Sequence, residues 1–298
     1  MNYIFDNKIN FNNIEKKILN ILKKKFNIEI KNVDNLFNSN IYVKDNPQKD
    51  QKKYICMSYF INDIFKKNYK NDIEILENLQ NLFKNENIVV LCPGPSYKSL
   101  TNNEKKYLIE NYITIAVKYV INDLNELNLY PTFLILNDWS KTFKINYDNN
   151  LSIIYGYDIS QKDFFLNFKT IRKYHHLNSF NLLKQNIDII SWNIREFKKN
   201  NIIGYHPMHI MCELVFPLII HLGCKNIYTC GWDLKYEKNN CYLYKLKDDT
   251  ELLKNINQLP SELHVLENIK NIFKNKNIYV FKIKKESPLN IDYINIFQ

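Results

Sequence analysis

Ile88-Val-Val-Leu-Cys-Pro-Gly-Pro-Ser96 places a short, β-branched apolar run directly before a rigid turn. A run from Ile88 to Cys92 with no polar alternation reads as a strand covered on both faces, as strands of parallel sheets are. Pro93 and Pro95 bracket Gly94 and end that strand, and the amphipathic stretch from Leu100 to Tyr112 reads as the helix that follows. Strand, turn and helix in this order predict an α/β unit.

Working outward, the alternation repeats. Thr114–Val117 and Thr132–Leu136 read as further strands, with weaker ones at Ser152–Tyr155 and Ile187–Ser191. Pro207–Leu222 reads as a buried helix, stopped by Gly223 in the left-handed capping position. Asn226–Cys230 is another strand, ending at Gly231-Trp-Asp233; Ser261–Phe273 is a helix and Asn277–Phe281 a last strand. Residues 85–298 are therefore expected to form a Rossmann-like, mostly parallel sheet with flanking helices. Residues 1–84 contain no glycine and carry helical apolar spacing at Ile14, Ile18, Ile21 and Leu22 and again at Ile73, Leu76 and Leu79. They are expected to form a helical appendage, interrupted around Lys44–Lys53.

The chain has 298 residues, of which 45% are hydrophobic, enough for a sizeable core and too many for a disordered or fibrous protein. Glycine is scarce, occurring only at 94, 156, 204, 223 and 231, so each survivor marks a place where a side chain is not tolerated. The net charge of +10 is almost all lysine, with Arg172 and Arg195 the only arginines, and it is spread from end to end. Nucleic-acid readers rely on the guanidinium fork, so this charge reads as solvated surface. It leaves a preference for an acidic substrate or peripheral contact with an anionic membrane. Cys56, Cys92, Cys212, Cys224, Cys230 and Cys241 form no CxxC pair and read as free thiols of a reducing compartment. The N-terminus lacks the pattern of a signal peptide, and Ile210–Leu222, the longest apolar stretch, is too short to span a bilayer. A soluble, cytoplasmic protein is expected.

Four constellations can carry chemistry. The Gly94-Pro95-Ser96 turn offers a close backbone approach and a helix N-terminus to an anion, with Ser96 able to cap that helix and to donate. Asn137, Asp138 and Asp233 stand at the ends of strands, where open parallel sheets bind ligands, although Asn and Asp are also ordinary turn residues. Gly204-Tyr-His-Pro-Met-His209 opens the buried helix, putting His206 near its N-cap and His209 in its first turn. Tyr236 and Tyr242 follow Asp233 and carry hydroxyls able to hold a phosphate, in a chain where tyrosine is common. Of the remaining histidines, His264 lies inside the penultimate helix, where packing is the simpler reading.

Ile88–Leu100, Ile115-Ala-Val117, Pro131–Asp138 and Leu222–Asp233 together resemble a superfamily with three branches. These are the bacterial sialyltransferases acting on lipooligosaccharide, the motility-accessory-factor glycosyltransferases and the archaeal 6-hydroxymethylpterin diphosphokinase-like proteins. The resemblance runs over about residues 86–290 and implies a variant of the GT-A glycosyltransferase fold. In the sialyltransferase branch the Gly-Pro-Ser loop and an asparagine after the third strand bind the cytidine-monophosphate sugar; these match Gly94, Pro95, Ser96 and Asn137. Two tyrosines that contact the departing phosphate match Tyr236 and Tyr242, after one inserted residue. Three features depart from the pattern: Cys92-Pro93 replaces Gly-Asn or Gly-Ala before the loop, His-Pro-Met-His replaces the helix-initiating Thr-Ser-Gly or Gly-Ser-Val, and Asn257–Pro260 lacks the branch's catalytic histidine.

The resemblance implies a sialyltransferase-like glycosyltransferase that moves a sugar, foremost a CMP-activated acidic one, to a glycan or other hydroxyl acceptor. His206, His209 or His264 would act as base and Tyr236 and Tyr242 would steady the leaving phosphate, with no metal and no resident cofactor; no DxD triplet occurs. Two alternatives stand beside it. One is ATP-dependent diphosphate transfer to a pterin-like alcohol, with Mg²⁺ on Asp138 and Asp233; the other is a degenerate protein that binds nucleotide or glycan without turnover.

Overall fold

The computed structural model describes residues 2–6, 12–26, 29–33, 79–129, 131–136, 153–156, 165–167, 211, 215–235 and 277–297, with isolated positions between 256 and 274. Its centre is a seven-stranded sheet. The strands are β3 (Asn87–Leu91), β4 (Ile113–Val117), β5 (Phe133–Leu136), β6 (Ile153–Gly156), β7 (Phe165–Asn167), β8 (Asn226–Cys230) and β9 (Tyr279–Lys282), numbered after β1 (Asn2–Asp6) and β2 (Glu29–Val33) near the N-terminus. They lie in the order β7-β6-β5-β4-β3-β8-β9, and every pairing is parallel. The fold is α/β and Rossmann-like, as expected. Chain order runs from β3 outward to β7, then returns to β8 on the other side of β3. The topological switch point therefore falls between β3 and β8, where open α/β sheets bind ligands beyond the strand ends.

Both faces of the central strands β3, β4 and β8 are covered, so their residues are buried at successive rather than alternate positions. On one face Val89, Leu91, Ala116, Leu134, Tyr228 and Cys230 share a core with Tyr97, Leu108, Val120, Ile121 and Ile283. These last come from α2 (Pro95–Lys98), α3 (Asn102–Asn111), α4 (Val120–Glu126) and the C-terminal segment. The alternate residues Ile88, Val90, Ile115 and Phe133 are just as buried. Phe83 meets Phe133 edge-on, and Phe216 of α5 (Phe216–Leu222) meets Trp232 and Phe273. Thr101 and Glu104 form a reciprocal capping box that starts α3.

Gly223 ends α5 with φ +80°, the left-handed cap expected of it. The carbonyls left over at that helix end are used by the turn before β3: the amides of Asn81, Phe83 and Asn85 donate to the oxygens of His221, Leu222 and Gly223 at 2.8–2.9 Å. Leu79 and Phe83 are fully buried, so these residues pack with the sheet body. His221 is buried within α5, in line with a structural histidine.

The N-terminal region holds a surprise. The helix expected from Ile14 to Leu22 is present as α1 (Asn13–Phe26), but β1 and β2 flank it and pair in parallel with each other. Tyr3, Ile4 and Phe5 favour a strand. Glu29-Ile-Lys-Asn-Val33 has no alternating pattern, so β2 depends on a partner more than twenty residues away that local spacing does not reveal. Ile14 and Leu19 are buried, and α1 touches the body through Asn13 on Asn111 of α3 and Lys17 paired with Glu86. The other helices expected before residue 79, and the strand expected at Ile187–Ser191, lie outside the described residues; β7 was not expected.

Candidate functional site

The ladder between β3 and β8 does not stop where the strands do. Cys92 N–H donates to the Cys230 carbonyl at 2.7 Å and Gly94 N–H to that of Gly231 at 2.9 Å. A side chain on either glycine would collide with the other segment's backbone. A Cβ on Gly94 would lie 2.2 Å from the Gly231 carbonyl oxygen, and one on Gly231, where φ is +78°, would lie 1.8 Å from that of Cys92. Each glycine is required by the backbone of the facing segment, Gly94 by Gly231 and Gly231 by Cys92.

Ser96 continues the clamp. Its hydroxyl accepts from Gly231 N–H at 2.7 Å, and its own N–H donates to Asp233 Oδ2 at 2.7 Å. This corrects the cap expected of it: Gly94 is the N-cap of α2, no side chain caps that helix, and Ser96 sits inside it turned toward β8. The reason is burial, since Ser96 is 2% exposed and its polar atoms must find partners within the protein. The other oxygen of Asp233, Oδ1, accepts from the Ser287 hydroxyl at 2.6 Å. Asp233 is 4% exposed and Ser287 5%. A protein carboxylate thus occupies the start of α2, where the sequence pattern offered a place for a ligand's anion.

Ser287 belongs to a C-terminal strap, residues 283–289, drawn over the ends of β8 and β9. Ile283 and Leu289 are its buried anchors. The Lys282 ammonium donates to the carbonyls of Ser287 and Leu289 at 2.7 and 3.0 Å. Glu286 accepts from the Ser99 hydroxyl at 2.6 Å, and Lys284 pairs with Glu104 at 3.0 Å. The Ser99 hydroxyl holds the Glu286 carboxyl below its ordinary value. Burial pushes Glu104 up, but the Thr101 amide, the Lys284 ammonium and the Thr101 hydroxyl outweigh it and hold that carboxyl down as well. A carboxyl whose folded-state pKa is depressed contributes stability above its unfolded pKa and loses it as pH falls through the folded value. Glu286→Gln should therefore lower the urea midpoint at pH 7, and the gap to wild type should close as pH drops below the usual glutamate value of 4.5. A gap that stays constant down to pH 3 would contradict the strap contact.

Beneath the loop lies a second, part-buried network. The Tyr97 hydroxyl donates to Asp123 at 2.5 Å, and Lys105 pairs with the same carboxylate at 2.9 Å while lying 5.1 Å from the Tyr97 ring centre. Burial, then the bond to Asp123, pushes the Tyr97 phenol far up, so it stays protonated and holds α2 against α4. Cys92, Cys224 and Cys230 are free and buried. Burial raises all three thiols, which removes them as nucleophiles.

Of the residues singled out from the sequence, the structure brings together Gly94, Pro95, Ser96 and Asp233. Asn137, Asp138, His206, His209, Tyr236, Tyr242 and His264 lie outside the described residues. Sequence reasoning missed Ser287, and it missed Lys118. Lys118 directly follows β4 with φ +52°, an uncommon backbone for a long side chain, and its charge acts on the Cys92 thiol. A lysine placed directly after a fully buried strand was the available signal; for Ser287 there was none.

A family model for 6-hydroxymethylpterin diphosphokinase MptE-like proteins matches residues 62–239, more than half of the chain. The chain belongs to the MptE-like family. Among solved structures it is similar to the sialyltransferase CstII from Campylobacter jejuni in complex with a substrate analogue, cytidine-5'-monophosphate. That likeness has 17% identity and a TM-score of 0.42, over 70% of this chain and 85% of the other. No curated protein matches. The MptE-like match includes both halves of the switch point, Cys92–Ser96 and Gly231–Asp233, and ends before the strap. Among the described residues, no helix is long and apolar enough to cross a membrane, and no cluster of His, Cys, Asp and Glu is large enough to hold a metal ion.

Proposed function

We propose that this MptE-like chain is a transferase that takes its group from a nucleotide-activated donor bound at the β3–β8 switch point, and that the group is a sugar. One observation carries the choice: both oxygens of Asp233 are committed, to Ser96 N–H and to the Ser287 hydroxyl, in a site 4% exposed. Mg²⁺, which diphosphate transfer from ATP implies, needs open carboxylate oxygens and room for its waters. Asp233, buried with both oxygens engaged, supplies neither and so does not fit the ion. That favours a reaction in which protein groups alone meet the leaving phosphate.

In this reading Gly94–Ser96 forms the wall against which the nucleotide lies, with Asn137 and Asp138 beside it. A histidine, His206 or His209 before His264, takes the proton of the acceptor hydroxyl. The acceptor oxygen bonds to the anomeric carbon as the bond from that carbon to the phosphate oxygen breaks. Tyr236 and Tyr242 donate hydrogen bonds to the charge that develops on the departing nucleotide. The acidic CMP-linked sugar fits a chain of charge +10, and an anionic membrane face fits it as the place of a glycan acceptor. The MptE-like match favours a second reading, diphosphate transfer from ATP to a pterin-like alcohol.

Thermal-shift titration with CMP, CDP and ATP, with and without Mg²⁺, separates the two. Stabilisation by CMP without metal is the expected result, and a response to ATP with Mg²⁺ alone replaces the first reading by the second. With the donor in hand, Tyr236→Phe combined with Tyr242→Phe should lower turnover by roughly 10²-fold, the loss typical of removing donors to a developing charge. Unchanged turnover removes the tyrosines from the mechanism.

A further inference from the structure

The strap lies beyond the segment that the MptE-like family model matches, yet its one buried hydroxyl reaches the centre of the switch point. Ser96 N–H, the Asp233 carboxylate and the Ser287 hydroxyl form a continuous chain across three loops, joining positions separated by 137 and 54 residues. Each link is short, at 2.7 and 2.6 Å, and all three residues are buried. A carboxylate in such a place keeps its rotamer only while donors are aimed at it. Asp233 receives one donor from the loop it holds and one from the strap. Without the strap donor the carboxylate can swing off Ser96 N–H, and the helix start is then held against Gly231 only by the Gly94 amide and the Ser96 hydroxyl.

We propose that Ser287 is a positioning residue of the donor site. Through Asp233 it fixes Gly94–Ser96 in the shape that receives the nucleotide, and the strap is part of the site rather than a tail. Glu286 on Ser99 and Lys284 on Glu104 fasten the strap from outside and keep Ser287 in place. Ser99 lies directly after α2, so the outer fastening grips the same short helix that Asp233 grips from within. The proposal rests on the donor reading for the nature of the ligand, but the coupling of strap to loop stands without it.

Hydrogen–deuterium exchange of wild type, Ser287→Ala and Ser287→Thr, without ligand, tests the coupling; CMP affinity by calorimetry tests its purpose. In Ser287→Ala, exchange in the segment 94–99 should rise by roughly tenfold, the scale expected for a lost hydrogen bond to a charged group, and CMP affinity should fall by a similar factor. Ser287→Thr keeps the hydroxyl and should restore both toward wild type. Unchanged exchange at 94–99 in Ser287→Ala overturns the proposal, as does faster exchange with undiminished CMP affinity. Faster exchange in a protein whose wild type binds no CMP upholds the coupling and defeats the donor reading instead. If Ser287→Ala does not fold, Lys284→Met combined with Glu286→Gln loosens the strap without touching Asp233. That variant should shift exchange at 94–99 in the same direction, and its failure to do so overturns the proposal.

Discussion

Gly231→Ala is expected to abolish a stable fold. The new Cβ would stand 1.8 Å from the Cys92 carbonyl oxygen, 2.6 Å from its carbon and 2.8 Å from Tyr97 Cβ. The first two are backbone atoms of a residue whose N–H is bonded to Cys230, so they cannot withdraw without opening the central pair of strands. The left-handed backbone at φ +78° adds strain of about 1 kcal/mol or more for any residue with a Cβ. Together these exceed the range of ordinary substitutions, with a loss of more than ~4 kcal/mol against a total stability of about 5–15 kcal/mol. Soluble yield and the urea midpoint read the outcome; a midpoint equal to wild type would mean that the two loops do not meet as described. Gly94→Ala should lean the same way by a smaller amount. Its contact, 2.2 Å from the Gly231 oxygen, is also with backbone, but its φ of −83° suits any residue.

Asp233→Ala and Asp233→Asn should separate strongly from each other. Alanine leaves the Ser96 amide and the Ser287 hydroxyl buried without an acceptor, at about 1–3 kcal/mol for each abandoned group, so the total loss should be roughly 2–6 kcal/mol. Asparagine can keep its oxygen on the Ser96 amide. Its Nδ2 can then donate to the Ser287 oxygen, because a hydroxyl accepts as readily as it donates. Only the charge-assisted part of the bonds is lost, about 1 kcal/mol. Urea denaturation of the two variants measures the difference. Equal losses would show that the carboxylate's charge, rather than its pattern of partners, holds the loops together. The same pair probes the metal question: an Asp233 that serves as a clamp leaves any Mg²⁺ response of the Asn variant unchanged.

Elements set by their own composition were legible. Ile88–Leu91, Thr114–Val117 and Asn226–Cys230 are strands because they are short runs rich in β-branched and apolar residues with no charge or glycine inside them, and Gly223 caps α5 because the helix needs a residue that accepts positive φ. Elements set by distant partners were not. β2 has no pattern of its own and exists through β1, and β7 is three residues long and exists through β6. At the site, the importance of Gly94 and Gly231 was legible from scarcity alone, but the reason was different. Gly94 makes room for the Gly231 carbonyl and Gly231 for that of Cys92, whereas the sequence pattern at Gly94 suggested room for a ligand. Ser96 likewise looked like a free donor until burial turned its atoms toward Gly231 and Asp233.

Local sequence, acting through residue sizes and branching, determined that this chain builds a covered parallel sheet with turns at Gly94, Gly223 and Gly231. It also placed the polar groups at the strand ends. Only the tertiary structure decided that β3 and β8 are neighbours, that Asp233 closes on the start of α2, and that Ser287 completes it from a strap beyond the family match. The physical reason is distance along the chain: each of those contacts joins segments more than fifty residues apart, and a buried polar group takes whichever partner the packing delivers.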